Sequence, residues 1–168
     1  FRMAPGVPLV VPEINPEDAL LHRGIISNPN CSTIVALVAV NAVGKLSEIL
    51  SMTASTYQAV SGAGAGGPTE LAEEISALAD GGSVSPSVFP YQIAYNLIPQ
   101  IGDFLENGYT TEEMKMQNEG RKILHLPSLR VSCTCVRVPV VRSHSISISL
   151  VTKEPVSPEA ARAAIAAA

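Results

Sequence analysis

The chain has 168 residues, 46% of them hydrophobic, a formal net charge of −4, and only 4% aromatic residues with no tryptophan. That length supports one domain with a real core, while scattered positive charge and scarce rings exclude a nucleic-acid binder. No apolar run is long and uninterrupted enough to span a bilayer, and three cysteines without a CxxC pair or a Cys/His cluster argue against a disulfide frame or a metal site and fit a reducing compartment.

Residues 1–27 are punctuated by proline, with Leu9-Val10-Val11 as the best strand candidate. Asn28-Pro29-Asn30 reads as a turn that starts an apolar helix over about Ser32 to Lys45, and it sets Cys31 at the mouth of that helix. Ile49 to Val60, with Thr53, Ser55, Thr56 and Tyr57, suits a strand. Ser61 to Gly67 is a Gly-rich loop, after which Pro68-Thr69-Glu70 opens a helix to about Leu78 with proline at its first position. Gly81 to Pro90 reads as a loop, and Tyr91 to Phe104 is mixed and interrupted by Pro99. Thr110-Thr111-Glu112-Glu113 is a capping box that predicts a helix to about Leu124. Val131 to Val141 and Ser145 to Thr152 read as strands, the second alternating Ile146, Ile148 and Leu150 against Ser145, Ser147 and Ser149. Ser157-Pro158-Glu159 starts a last helix. Interleaved strands and helices without a strict βαβ rhythm predict an α+β fold: a mixed, largely antiparallel sheet with helices on one face. The opening at Phe1 and the Ala-rich helical pattern at the other end read as a piece of a longer protein.

Cys31 is the most informative residue. A helix N-terminus stabilises negative charge on a sulfur and offers N–H groups to an oxyanion formed when that sulfur attacks a carbonyl. A buried structural cysteine is the competing reading. Gly62, Gly64 and Gly67 spell a literal G-x-G-x-x-G, but a dinucleotide fingerprint also needs a second strand ending in an acid about 20 residues on. Asp80 instead ends a helix, so a loop permitting close backbone approach is the better reading. His144 follows Arg137 by seven residues across Pro139 and Arg142-Ser143, a bend that would bring both side chains to one end of a hairpin. The histidine would move protons and the arginine, set among valines, would hold a carboxylate; a structural ion pair and a surface histidine are the competing readings. Glu119 and Lys122, at i and i+3 on one helix, read locally as a solvated ion pair. Cys133 and Cys135 share one strand face, where packing explains them, and Gln58 ends a strand beside the glycine loop.

Taken in order, Ser27-Asn28-Pro29-Asn30-Cys31-Ser32-Thr33, Ser55-Thr56-Tyr57-Gln58-Ala59-Val60-Ser61-Gly62-Ala63-Gly64, Phe89-Pro90-Tyr91-Gln92-Ile93-Ala94-Tyr95-Asn96, Glu106-Asn107-Gly108-Tyr109-Thr110 and Thr134-Cys135-Val136-Arg137-Val138-Pro139-Val140 with His144-Ser145 closely resemble the catalytic domain of the aspartate-semialdehyde dehydrogenase family. The resemblance implies a glyceraldehyde-3-phosphate dehydrogenase-like catalytic fold and NADPH-dependent reductive dephosphorylation of L-aspartyl 4-phosphate to L-aspartate 4-semialdehyde and phosphate, in the biosynthesis of lysine, threonine and methionine. It implies Cys31 as the nucleophile that forms a thioester, His144 as acid/base and Gln58 as the group that orients the acyl intermediate. It further implies Arg137 on the substrate carboxylate, Glu119 facing its amino group, Lys122 and Asn30 at phosphate, and Ser61 and Gly62 near the nicotinamide of NADP. Residues 1–168 would then be the catalytic and dimerisation domain of a cytoplasmic or, in a photosynthetic eukaryote, plastid homodimer or homotetramer. The dinucleotide-binding domain, the carboxy-terminal segment and most of the NADP site lie outside this chain, so the piece alone is expected to show little reductase activity. Three other readings stand beside this one: a related reductase of N-acetylglutamyl phosphate, against which Glu119 argues, a non-catalytic dimerisation module, and a hydrolytic thiol enzyme without a cofactor.

Overall fold

The computed structural model describes residues 1–168. Its regular elements are helix α1 (Cys31–Gly44), strand β1 (Ile49–Gln58), helix α2 (Gly66–Ala79), helix α3 (Thr111–Ile123), strands β2 (Arg130–Arg137) and β3 (Ser145–Thr152), and helix α4 (Pro158–Ala166). Short 3-10 helices occupy Pro16–Leu21 and Val60–Ala63. The fold is α+β with a mixed sheet in the order β2-β1-β3. Val138 N donates to Gln58 O, Val60 N to Val140 O and Ser61 N to Val141 O, so the chain following β2 runs parallel to the end of β1. Lys153 N donates to Glu48 O, which joins the end of β3 to the start of β1 and makes that pair antiparallel. The strand that ends at Arg137 and the strand that follows His144 therefore flank β1 and form no hairpin with each other.

The chain divides into two compact units, one of Phe1–Ala54, Glu113–Cys133 and Ser147–Ala168, the other of Ser55–Glu112 and Thr134–Ile146. In the first, α1 is apolar on most sides and buries Ala36, Leu37 and Val40, with Leu37 in one cluster with Leu9, Val11 and Ile123. Burying each such leucine or isoleucine is worth about 1.5–3 kcal/mol. Leu37 lies against α3 at Gly120, and α4 packs on α1. Leu9 forms only an isolated parallel bridge to Ser27 in place of a strand. Strand β1 turns Met52, Ala54, Thr56 and Gln58 inward and Thr53 and Tyr57 outward, the period-2 pattern of a sheet covered on one face. Cys133 and Cys135 point the same way and are buried, as packing requires.

In the second unit, Val60, Leu71, Phe89, Ile93, Ala94 and Ile98 form the core. Helix α2 begins two residues before Pro68, earlier than expected, because Gly66 and Gly67 carry no side chain. A Cβ at Gly67 would run into the Val60 carbonyl, and one at Gly66 would come to 3.0 Å from Val88. The glycine motif is thus used for close packing of a helix start. Asp80 is the C-cap of α2, with no strand leading to it.

Candidate active site

Cys31 is the first residue of α1 and is exposed, which disposes of the buried structural reading. Asn30 is its N-cap, extended at φ −66° and ψ 145°, and Asn30 Oδ1 accepts from Ser32 N at 3.0 Å and Thr33 N at 3.3 Å. Those two amides are consequently not open to an oxyanion. The Asn30 backbone N–H donates to Glu119 Oε2 at 2.7 Å, linking the turn before the cysteine to α3.

Glu119 is 1% exposed, so the expected solvated ion pair with Lys122 does not form. Positions i and i+3 do share a helix face, but this face is turned to the start of the chain. Arg2 Nη1 lies 3.2 Å from Glu119 Oε1, and Arg2 Nε donates to Asn28 O at 2.9 Å. Lys122 Nζ gives two of its three donors to Arg2 O at 2.8 Å and Val7 O at 2.7 Å. Arg2 was not singled out from the sequence, because nothing within its neighbourhood marks a contact 117 residues away.

In the second unit, Gln58 is fully buried and fixed at both ends: Oε1 accepts from Thr56 Oγ1 at 2.9 Å and Nε2 donates to Glu112 Oε1 at 3.1 Å. Glu112, which the sequence offered only as part of a capping box, is itself buried. Arg137 and His144 do converge, through the two backbone groups of one residue. Arg137 Nη1 donates to Ala59 O at 2.7 Å, and Ala59 N donates to His144 Nδ1 at 3.0 Å. Ser143, at φ +74°, makes the turn that returns His144 toward β1. Since Nδ1 accepts, the neutral imidazole carries its proton on Nε2. Burial, and then the Arg137 guanidinium, lower the His144 pKa from its ordinary value, while Glu112 pulls it partly back up. A Cβ on Gly62 would lie 2.8 Å from Arg137 Nη1 and 3.4 Å from His144 Nε2, so any larger residue there would push the guanidinium from its place beside this turn. Ser61 N donates to Val141 O at 3.2 Å, and the Gly62 to Gly66 stretch is exposed backbone without bulky side chains, a surface that suits a flat ring.

The structure thus gathers Asn30, Cys31, Glu119, Lys122 and Arg2 in one unit, and Ser61, Gly62, Arg137 and His144, with Gln58 on Glu112, in the other. No group of three or more His, Cys, Asp or Glu side chains is placed to hold a metal ion, and no helix is long and apolar enough to cross a membrane.

Comparison with known proteins gives these features a lineage. Aspartate-semialdehyde dehydrogenase of Aquifex aeolicus is 50% identical over 165 residues, 96% of this chain and 48% of that protein. The Bacillus subtilis protein of the same name is 48% identical over 155 residues, 88% of this chain and 45% of its own length. The chain spans about half the length of the curated relatives it matches. Among solved structures, aspartate semialdehyde dehydrogenase II of Vibrio cholerae complexed with ASA superposes with a TM-score of 0.96 at 44% identity, covering 98% of this chain and 49% of that one. A Candida albicans aspartate semialdehyde dehydrogenase solved with NADP shares the fold at TM-score 0.66 and 24% identity, covering 97% of this chain and 45% of its own. The family described as semialdehyde dehydrogenase, dimerisation domain, matches residues 41–168, and the chain belongs to that family.

Proposed function

We propose that this chain is the catalytic and dimerisation domain of a protein that reduces L-aspartyl 4-phosphate to L-aspartate 4-semialdehyde, on the route to lysine, threonine and methionine. The observation that carries the reading is an exposed cysteine at the first position of a capped helix, in a chain about half identical to enzymes named for this activity.

In this reading the Cys31 sulfur attacks the carbonyl carbon of the acyl phosphate, a C–S bond forms, the bond from that carbon to the phosphate oxygen breaks, and phosphate leaves with the electron pair. Arg137 holds the substrate carboxylate, as a planar guanidinium can do bidentately, and Glu119 faces the amino group. Arg2, Lys122 and Asn30 line the phosphate side. Gln58, held rigid by Thr56 and Glu112, keeps the acyl group oriented. His144 holds a proton on Nε2 for the acyl oxygen. NADPH, when bound, supplies the hydride that resolves the thioester, and the Ser61–Gly62 turn is the part of its site within this chain. Glu119 also favours a free amino group over an N-acetylated one, which is the argument against N-acetylglutamyl phosphate.

The working unit is a dimer or tetramer, and the molecule is cytoplasmic or plastid. Support for self-association comes from the family description. The test is phosphate-dependent reduction of NADP by the intact protein with L-aspartate 4-semialdehyde. Turnover at least tenfold better than with N-acetylglutamate semialdehyde is expected; equal or reversed preference overturns the substrate assignment.

A further inference from the structure

Helix α2 carries two buried carboxylates one turn apart that the proposed chemistry does not use. Glu70, 5% exposed, accepts from the Ser87 N–H at 2.8 Å, the Ser87 hydroxyl at 2.7 Å, the Val88 N–H and the Phe89 N–H at 3.1 Å. Glu74 accepts from the Ile93 and Ala94 N–H groups at 2.8 and 2.7 Å. Together they fasten the irregular segment 87–94 to a rigid helix. A buried carboxylate is costly unless donors surround it, so this arrangement needs an explanation beyond filling space.

The stretch held by Glu70 ends at Phe89, whose ring lies under the Arg137 guanidinium, 5.8 Å from Cζ to the ring centroid. Arg137 Nη1 also donates to the Ala59 carbonyl. The Phe89 ring tip also faces Gly67 at 3.3 Å from where a Cβ would stand, so the ring is confined between the start of α2 and the guanidinium. An aromatic face beneath a guanidinium restrains the plane in which it lies.

We infer that Glu70 is a positioning residue: by clamping the Ser87–Phe89 backbone it sets the Phe89 ring, and the ring sets the plane in which Arg137 meets the substrate carboxylate. The inference rests on the assignment of Arg137 to that carboxylate. Burial by itself would raise the Glu70 pKa, but the Ser87 hydroxyl and the three backbone N–H groups outweigh it and hold the carboxyl below its ordinary value, so the clamp is an anion at neutral pH.

The experiment uses the intact protein with Glu70→Gln and Phe89→Leu, each followed by two readouts. Steady-state kinetics should show KM for aspartate 4-semialdehyde raised about 5- to 20-fold with kcat within about twofold, because ground-state and transition-state holding of the carboxylate are lost together. Titration of His144 by NMR should move its midpoint upward, since an Arg137 that swings away no longer opposes protonation; Glu112 and Arg137 are the charged groups acting on that imidazole. Phe89→Leu keeps the apolar fill, so it covers the case in which Glu70→Gln fails to fold. A folded variant with unchanged KM and an unmoved His144 midpoint overturns the positioning role. A wild-type protein inactive on aspartate 4-semialdehyde whose variants nevertheless shift His144 overturns the substrate reading alone and leaves the clamp standing.

Discussion

The Cys31 corner and the His144 corner hold their polar side chains by opposite means. Cys31 is exposed and sits on a local cap: Asn30 closes the two amides that follow, and Glu119 ties that cap to a distant helix. His144 is half-buried, and the groups set around it come from distant parts of the chain: Ala59 from the end of β1, Gly62 from the turn after it, and Arg137 from β2, which shares the Ala59 backbone with it. A corner built at a helix end can lose its reactive atom and keep its shape. A corner built as a mesh passes any change to its neighbours.

The sharpest test of that contrast is Cys31→Ser in the intact enzyme. Reductase turnover should fall by at least about 10³-fold, because a hydroxyl is a far weaker nucleophile at neutral pH, while the thermal midpoint stays within about a degree; a large drop in midpoint would mean that this corner, too, is a mesh. Asn30→Ala strips the cap and should cost about 1 kcal/mol of stability by denaturant titration. The accompanying loss of rate should be smaller than for Cys31→Ser. The smallest effect concerns acid. His144 has a folded pKa below its ordinary 6.5, so the unfolded chain takes up the proton first and stability falls as pH drops below that value, levelling once the folded form is protonated too. Replacing His144 with Gln should flatten stability against pH in that window. The Glu70 contribution, with its carboxyl held low, is present above its ordinary 4.5 and is lost only as pH falls further.

The same contrast explains how much was legible in the sequence. The α1 boundary, the span of β3 and the start of α3 were readable because turn chemistry, period-2 alternation and a capping-box pattern act within a few residues. Cys31 was readable for the same reason. The convergence of Arg137 and His144 was readable as a bend, but its geometry was not: the partner that holds both is Ala59, a residue with no chemical signature. Glu112, Glu70 and Arg2 stayed hidden because their partners lie 54, 17 to 19 and 117 residues away. A pair of charges at i and i+3 looks solvated until tertiary packing turns that face inward, which is what happened to Glu119.

Strand β1 alternates without a break from Met52 to Gln58 and hands directly to the Ala59–Gly62 turn. A single inserted or deleted residue within it would swing Tyr57 into the interior, expel the glutamine amide and carry the Ala59 anchor off its two clients. Point changes can be absorbed along this strand, whereas a change in its length cannot, so across descendants of such a molecule this stretch should behave as a fixed ruler between the sheet and the glycine turn.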